Sequence, residues 1–306
     1  MSATAFDDLD DYLALPRVSA LAVAADGSRV VTTVAELNDN RSEYVSAVWE
    51  LDPAGRTPAR RLTRSANGES SPAFTADGDL LFVSARAKAE KADDEKPPAS
   101  LWRLPADGGE AVEVLAMPGG VSVVQSARSA EVTVVGAPLL PAAQTVVDDR
   151  RLRDLRKDSK VTAILYTKYP VRHWDKDLGP DEVHLFDASG PRDLTPRPGA
   201  ALREDGFDIS ADGRFLVTTW RVSGPGPCSA RCCCGLTSNP GTASSSSMTR
   251  MRIWSARPSP RTARPWRSRG KQSPTLVARR EGRCIACGLA RNRQSSPQIG
   301  TAGRRR

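Results

Sequence analysis

Six cysteines and two histidines are the residues of this 306-residue chain best suited to metal or nucleophilic chemistry. Their spacing argues against each reaction they could carry. Cys284-Ile285-Ala286-Cys287 has the form of half a zinc site, and Cys228 with Cys232-Cys233-Cys234 offers further thiolates. A structural zinc site presents two ligand pairs at regular separation, often with histidine. Here one group is a contiguous triplet, the next pair follows after more than 45 residues, and His173 and His184 both lie elsewhere. One known arrangement for acyl transfer by serine is a Gly-x-Ser-x-Gly elbow, with the acid and the histidine after it. The two Gly-x-Ser occurrences, Gly68-Glu69-Ser70 and Gly120-Val121-Ser122, continue to Pro72 and Val124 where glycine is required. His173 and His184 fall together inside one repeated unit, where a structural or exposed role is expected. The sequence therefore assigns no catalytic, cofactor-binding or metal-ligating residue, and no cofactor is expected.

The charge of the chain is the sum of two unlike parts. The total is +8 with a pI near 9.4, which by itself would point to an anionic partner. Residues 1–222, however, hold 27 Lys+Arg against 35 Asp+Glu, whereas residues 223–306 hold 17 basic residues and one acid, Glu281. All six cysteines lie in the second part. No apolar run reaches the roughly 18–20 residues of a membrane span. The acidic start Met1–Leu15 lacks the basic-then-apolar pattern of a secretory signal. The expectation is a cytoplasmic protein without membrane contact. A disulfide scaffold fits poorly with that setting. Binding of nucleic acid is expected only nonspecifically, through the basic tail, with strong dependence on salt.

The elements that would carry any site are written as a repeat. A strand, an Asp-Gly turn and a second strand occur at Val18–Val31, Ser71–Val83 and Phe207–Val217, with the turns at Asp26-Gly27, Asp77-Gly78 and Asp212-Gly213. Asp-Gly supplies the positive φ that a tight hairpin needs. An aromatic strand followed by a polar turn alternates with it, at Val48-Trp49-Glu50-Leu51, Leu101-Trp102-Arg103-Leu104 and Leu185-Phe186-Asp187. Two copies run on into Leu62-Thr63 and Leu194-Thr195. Four antiparallel strands per unit follow, in units at about 17–63, 68–115 and 119–195, with a fourth opening at 203–222. Such units at this period are β-propeller blades. A β-sandwich is the alternative, and the regular spacing favours the propeller. The fold class predicted is all-β: a partial propeller of about three and a half four-stranded blades at 17–222. A short helical segment at 1–16 precedes it and a disordered basic tail at 223–306 follows. Inside the third unit, Asp148–Asp158 predicts a short helical insertion or exposed arm with a solvated charged face, and Lys88–Pro98 a flexible loop.

Four stretches carry a family resemblance: Leu15-Pro16-Arg17-Val18-Ser19, the hairpin from Ser71-Pro72-Ala73-Phe74 to Asp77-Gly78, Lys157-Asp158-Ser159-Lys160-Val161, and Tyr169-Pro170-Val171-Arg172-His173-Trp174-Asp175. Together they resemble the N-terminal propeller of the prolyl oligopeptidase family, in its bacterial acylaminoacyl-peptidase-like branch, over about residues 5–222. TolB-type propellers share the Asp-Gly hairpins. The resemblance implies a non-catalytic cap that restricts entry of peptide substrates. It also implies a Ser-Asp-His α/β-hydrolase domain that is absent here or supplied in trans. The alternative is a stand-alone TolB-like scaffold whose basic tail recruits a partner.

The genetic code suggests why the tail differs. Met and Trp have single codons, so Met248-Thr249-Arg250-Met251-Arg252-Ile253-Trp254 fixes many bases. Read one nucleotide earlier, with GC-rich third positions, that run becomes Asp-Asp-Pro-Asp-Ala-Asp-Leu. The residues from Ser255 to Trp266 then permit Val-Ser-Pro-Ala-Leu-Ser-Pro-Asp-Gly-Thr-Ala-Val, which repeats the hairpin of Ser71–Gly78. Cys232-Cys233-Cys234 permits Val-Leu-Leu. A slip of reading frame near Val222–Gly224 is the expectation, and an inactive, aggregation-prone product follows from it.

Overall fold

The computed structural model describes residue 4 and residues 6–86, 97–166, 171–203, 206–223, 229–238 and 248–254. For His173, Lys176 and the residues from Val222 onward it describes the backbone alone. A short helix α1 (Leu9–Ala14), N-capped by Asp8, precedes the first sheet. Tyr44 donates its hydroxyl to Leu13 O at 2.7 Å, and an Arg41 Nη2 donates to Asp10 O, tying α1 to that sheet.

Four sheets of four antiparallel strands follow in chain order. The first holds β1 (Arg17–Val23), β2 (Val30–Leu37), β3 (Tyr44–Leu51) and β4 (Arg60–Arg61). The second holds β5 (Glu69–Phe74), β6 (Leu80–Ser84), β7 (Ser100–Leu104) and β8 (Val112–Leu115). In the third, β9 (Val123–Ser126) pairs with β10 (Thr133–Leu139). A long excursion then carries helix α2 (Val146–Asp158) and the small hairpin β11 (Arg172–His173) and β12 (Lys176–Asp177). The chain returns as β13 (Glu182–Asp187) and β14 (Arg192–Asp193). The fourth sheet holds β15 (Phe207–Ile209), β16 (Phe215–Ser223), β17 (Ser229–Ser238) and β18 (Met248–Trp254). The first strands β1, β5, β9 and β15 lie next to one another in sequence order. The result is an all-β, propeller-like array in which no single sheet closes on itself.

The two repeated signatures do local work in every sheet that carries them. Gly27, Gly78 and Gly213 all have positive φ and donate N–H to Ala24, Thr75 and Ser210 O at 2.9–3.1 Å, giving one turn three times. The Leu-Thr pairs extend the ladder beyond the short fourth strands. Leu62 and Leu194 donate N–H to Val48 and Leu185 O, and the hydroxyls of Thr63 and Thr195 accept from Val48 N and Leu185 N, both at 2.9 Å.

Each sheet has a face toward its predecessor and a face toward its successor. Between the first two sheets Ala24, Val31, Val48, Phe74, Leu80 and Phe82 pack together. Between the second and third lie Leu81, Val83, Leu101, Val124, Val135 and Phe186, among others. Between the third and fourth lie Val134, Leu185, Leu194, Phe207 and Leu216. Strand β6 is therefore buried on both faces, and its first four residues, Leu80-Leu81-Phe82-Val83, read as an apolar run, as strands covered on two sides do.

Two expectations need correction. Regular structure extends past residue 222: β17 and β18 complete a fourth sheet by pairing with β16 and with each other. Sequence periodicity gave no sign of them, because ladder bonds come from the backbone of an edge strand and need no particular side chain. Residues 255–306, also placed in the tail, lie outside the described residues, as do positions 87–96 of the expected loop. The segment Asp148–Asp158 forms the expected helix, but its charged face is not simply solvated, since Asp149 is fully buried.

Candidate functional site

Antiparallel pairing sorts the connections to two ends of the array. The Asp-Gly turns lie at one end. The β2–β3, β6–β7 and β10–β13 connections lie at the other, and that end collects most of the buried charge.

Glu69 opens β5 with its side chain wholly buried. Its Oε1 accepts from Ser65 N at 2.7 Å and from Arg86 Nη2 at 3.2 Å. The Arg86 guanidinium lies 5.2 Å from the Phe82 ring and 5.1 Å from the Trp102 ring. Glu69 Oε2 and Arg86 Nε are buried without a hydrogen-bond partner among the described residues. Removal of either partner would strand a charge in the interior. The structurally equivalent position in the first sheet is Val18, by the pairings Val18↔Val34 and Glu69↔Ser84. A carboxylate at a position where the first sheet carries valine is the sequence signal for this pair.

The excursion of the third sheet is clasped by α2. Thr145 caps the helix by accepting from Asp148 N at 3.1 Å. Asp149 accepts from Leu140 N at 2.8 Å and from Arg153 Nε at 2.8 Å, and Arg153 Nη2 reaches Asp181 Oδ1 at 2.9 Å. Burial works against the Arg153 charge, but the hydrogen bond to Asp149 and the charges of Asp181 and Asp149 outweigh it and raise its pKa. The bridge pins the beginning and the end of the excursion to one helix. Beyond it, the hairpin β11–β12 turns through Trp174, which has φ +57° and is 89% exposed.

His184 is held in place by its neighbours. His184 is buried, with Nδ1 2.8 Å from Asp193 Oδ2 and its ring stacked on Phe186. Its neighbours are a carboxylate and an aromatic face, which orient an imidazole but supply no nucleophile. His173 is placed on β11. Ser70 is on β5, and Ser122 Oγ donates to Gly136 O at 2.9 Å. Cys232, Cys233 and Cys234 lie on β17, and Cys228, Cys284 and Cys287 fall outside the described residues. Among the described residues no group of three His, Cys, Asp or Glu could hold a metal ion. No helix among them is long and apolar enough to cross a membrane.

Two hollows lie on the surface of the described sheets. A crevice of about 280 Å³ opens between the second and third sheets at the Asp-Gly end, with Asp77, Asp79, Arg103 and Glu131 in its walls. Its charges are mutually paired in part, Arg103 lying 3.7 Å from Asp79. A larger hollow of about 550 Å³ runs along the outer face of the fourth sheet, lined by Ile209, Phe215, Val217 and Thr219.

No family model and no curated protein matches this chain. Solved structures do. The acylaminoacyl peptidase of Pyrococcus horikoshii is similar at TM-score 0.48 and 10% identity over 73% of this chain and 31% of that one. A prolyl endopeptidase from a structural and mechanistic study of two such enzymes follows at TM-score 0.42 and 12% identity, over 79% and 30%. TolB from Acinetobacter baumannii is similar at TM-score 0.41 and 10% identity, over 78% and 43%. The chain thus spans less than a third of the length of the two peptidase structures.

Proposed function

We propose that this chain is the propeller portion of a prolyl oligopeptidase-like serine peptidase, interrupted by a slip of reading frame near Val222–Gly224. In the parent protein the propeller would restrict entry and select short peptides, while a hydrolase domain carried out acyl transfer through its oxyanion hole. The chain by itself is then catalytically inert. The observation that carries this reading is the second strand of the fourth sheet. Phe215-Leu216-Val217 is apolar without alternation, as befits a strand covered on both faces, yet Phe215 and Val217 are exposed. Reading the following residues one nucleotide earlier restores a Ser-Pro-Ala-x-x-x-Asp-Gly hairpin, which is the element a further blade needs.

The nucleotide sequence across residues 215–306, and about a thousand bases beyond, tests the frame. Restoring one base should open a long frame that ends in a Gly-x-Ser-x-Gly hydrolase domain, and a frame that stays closed refutes the slip. The chain itself should neither hydrolyse chromogenic peptide esters nor be labelled by a fluorophosphonate. Recovery of labelling when a separately encoded hydrolase domain is added would show that the catalytic part acts in trans.

A second reading is supported by β17 and β18, which complete the fourth sheet in the frame as written. On that reading the chain is a TolB-like binding scaffold with a basic tail. It predicts a monodisperse folded species that forms a salt-sensitive complex with nucleic acid, and failure to form that complex removes it.

A further inference from the structure

The array repeats one contact three times and, among the described residues, leaves both of its ends uncovered. Pairing registers identify equivalent positions. On the face toward the next sheet, Val31, Leu81, Val134 and Val217 are equivalent, opposite Ala22, Ala73, Gln125 and Asp208. The first three are buried by the sheet that follows them, while Val217 is 51% exposed. On the face toward the preceding sheet, Leu21, Val124 and Phe207 are equivalent, opposite Thr32, Val135 and Thr218. Val124 and Phe207 are buried, while Leu21 is 67% exposed, with Val18 and Val23 exposed beside it.

We propose that the outer face of the fourth sheet packs on the outer face of the first sheet of a second copy of this chain. The contact is the one already made three times inside the molecule. A face directed at a successor meets a face directed at a predecessor, and the free pair is one of each kind. The hollow of about 550 Å³ along Phe215 and Val217 receives the ridge formed by Val18 and Leu21. Two copies related by a twofold axis make this contact twice; any other rotation makes it a head-to-tail contact that closes a larger ring or extends a chain of copies. A closed pair buries both apolar ends at once. Two successor-directed faces packed on each other would be a pairing that does not occur among the described residues. The proposal depends on the sheet order alone and goes beyond the peptidase reading, which the nucleotide sequence tests separately.

The experiment is sedimentation of the full chain over a concentration series, with Leu21→Asp and Val217→Asp. Both side chains are half or more exposed in one copy, so each variant keeps the circular dichroism of the parent. The parent is expected to associate at micromolar concentration. Each substitution should weaken association more than tenfold, because a carboxylate would be buried in an apolar contact. An equimolar mixture of the two variants should regain a dimer, since one intact Val217 face then meets one intact Leu21 face. Larger assemblies that both substitutions dissolve support the proposal equally. A monomeric parent overturns it, including one in which Val217→Asp lowers the melting temperature because residues of the same chain cover the face. It is also overturned if only one substitution acts, or if the mixture remains monomeric.

Discussion

The hydroxyl of Thr195 is wholly buried and accepts the N–H of Leu185, doing for β13 what a backbone carbonyl would do in a longer β14. Thr63 does the same for Val48. Thr195→Val keeps the shape and removes the acceptor, which leaves Leu185 N–H buried and unpaired. A loss of about 1–3 kcal/mol is expected, read from the shift in urea midpoint, while an exposed threonine such as Thr57 should tolerate the same change. Glu50 makes a pH-dependent contribution. Its Oε1 accepts from Arg29 Nε at 2.7 Å and its Oε2 from Arg60 Nη2 at 2.6 Å. Burial raises its pKa, but the hydrogen bonds to the two arginines outweigh burial and hold it below the usual carboxylate range. A depressed folded-state pKa stabilises above the unfolded value, near 4.3 for glutamate, and the gain disappears as pH falls through the folded value. The stability difference between the parent and Glu50→Gln should therefore be constant from pH 7 to about 5 and shrink below about pH 4. A difference that persists at pH 2 would assign the effect to packing. At this scale the Asp-Gly and Leu-Thr pairs were legible as spacing. The acceptor role of the threonine was not, because hydroxyl partners are fixed only once the strands have registered.

Helix α2 shows what a sequence pattern conveys about an element and what it omits. Mixed charge with Leu152 and Leu155 three apart points to a short helical insertion or exposed arm at residues 148–158, and a helix runs over Val146–Asp158. The pattern could not identify the buried acid among several, because Asp149 is chosen by the position of Leu140 N and Asp181, neither of them on the helix. Asp149→Asn retains an acceptor for Leu140 N–H but removes the charge facing Arg153. Asp149→Ala removes both. The expected order of stability is parent, then Asn, then Ala, with a loss for Ala of about 3–5 kcal/mol as a buried partner is deleted. Limited proteolysis between residues 140 and 181 should accelerate in the same order. Equal cleavage in all three proteins would mean that the excursion is held by something other than this clasp. Gly119 belongs to the same assembly. A Cβ there would lie 2.5 Å from Arg153 Nη2 and 2.6 Å from Pro138 O, so the segment joining the second and third sheets reaches Arg153 only through glycine.

For the molecule as a whole, the repeat and the division between acidic and basic residues were legible, and the extent of the fourth sheet was not. Stacked sheets of this kind share stability between neighbours, each held by the faces it shares with the next. An inner sheet has two such faces, whereas the first and fourth each have one within the described residues. Identical substitutions at equivalent positions should then have unequal costs. Val134→Ala removes two methyl groups from a closed contact between the third and fourth sheets and should cost about 2 kcal/mol or more. Val217→Ala removes the same atoms from an open face and should stay within about 0.5 kcal/mol. The comparison requires urea unfolding at a protein concentration low enough to keep copies apart, because association would cover Val217. Hydrogen exchange supplies an independent reading, since β15 and β16 should exchange before β9 and β10 in the parent and Val134→Ala should bring the two pairs together. Equal costs for the two alanines at high dilution would mean that the outer face of the fourth sheet is covered within a single chain. In that case the exposed Phe215 and Val217 would describe neither an interrupted propeller nor an end that a second copy can meet.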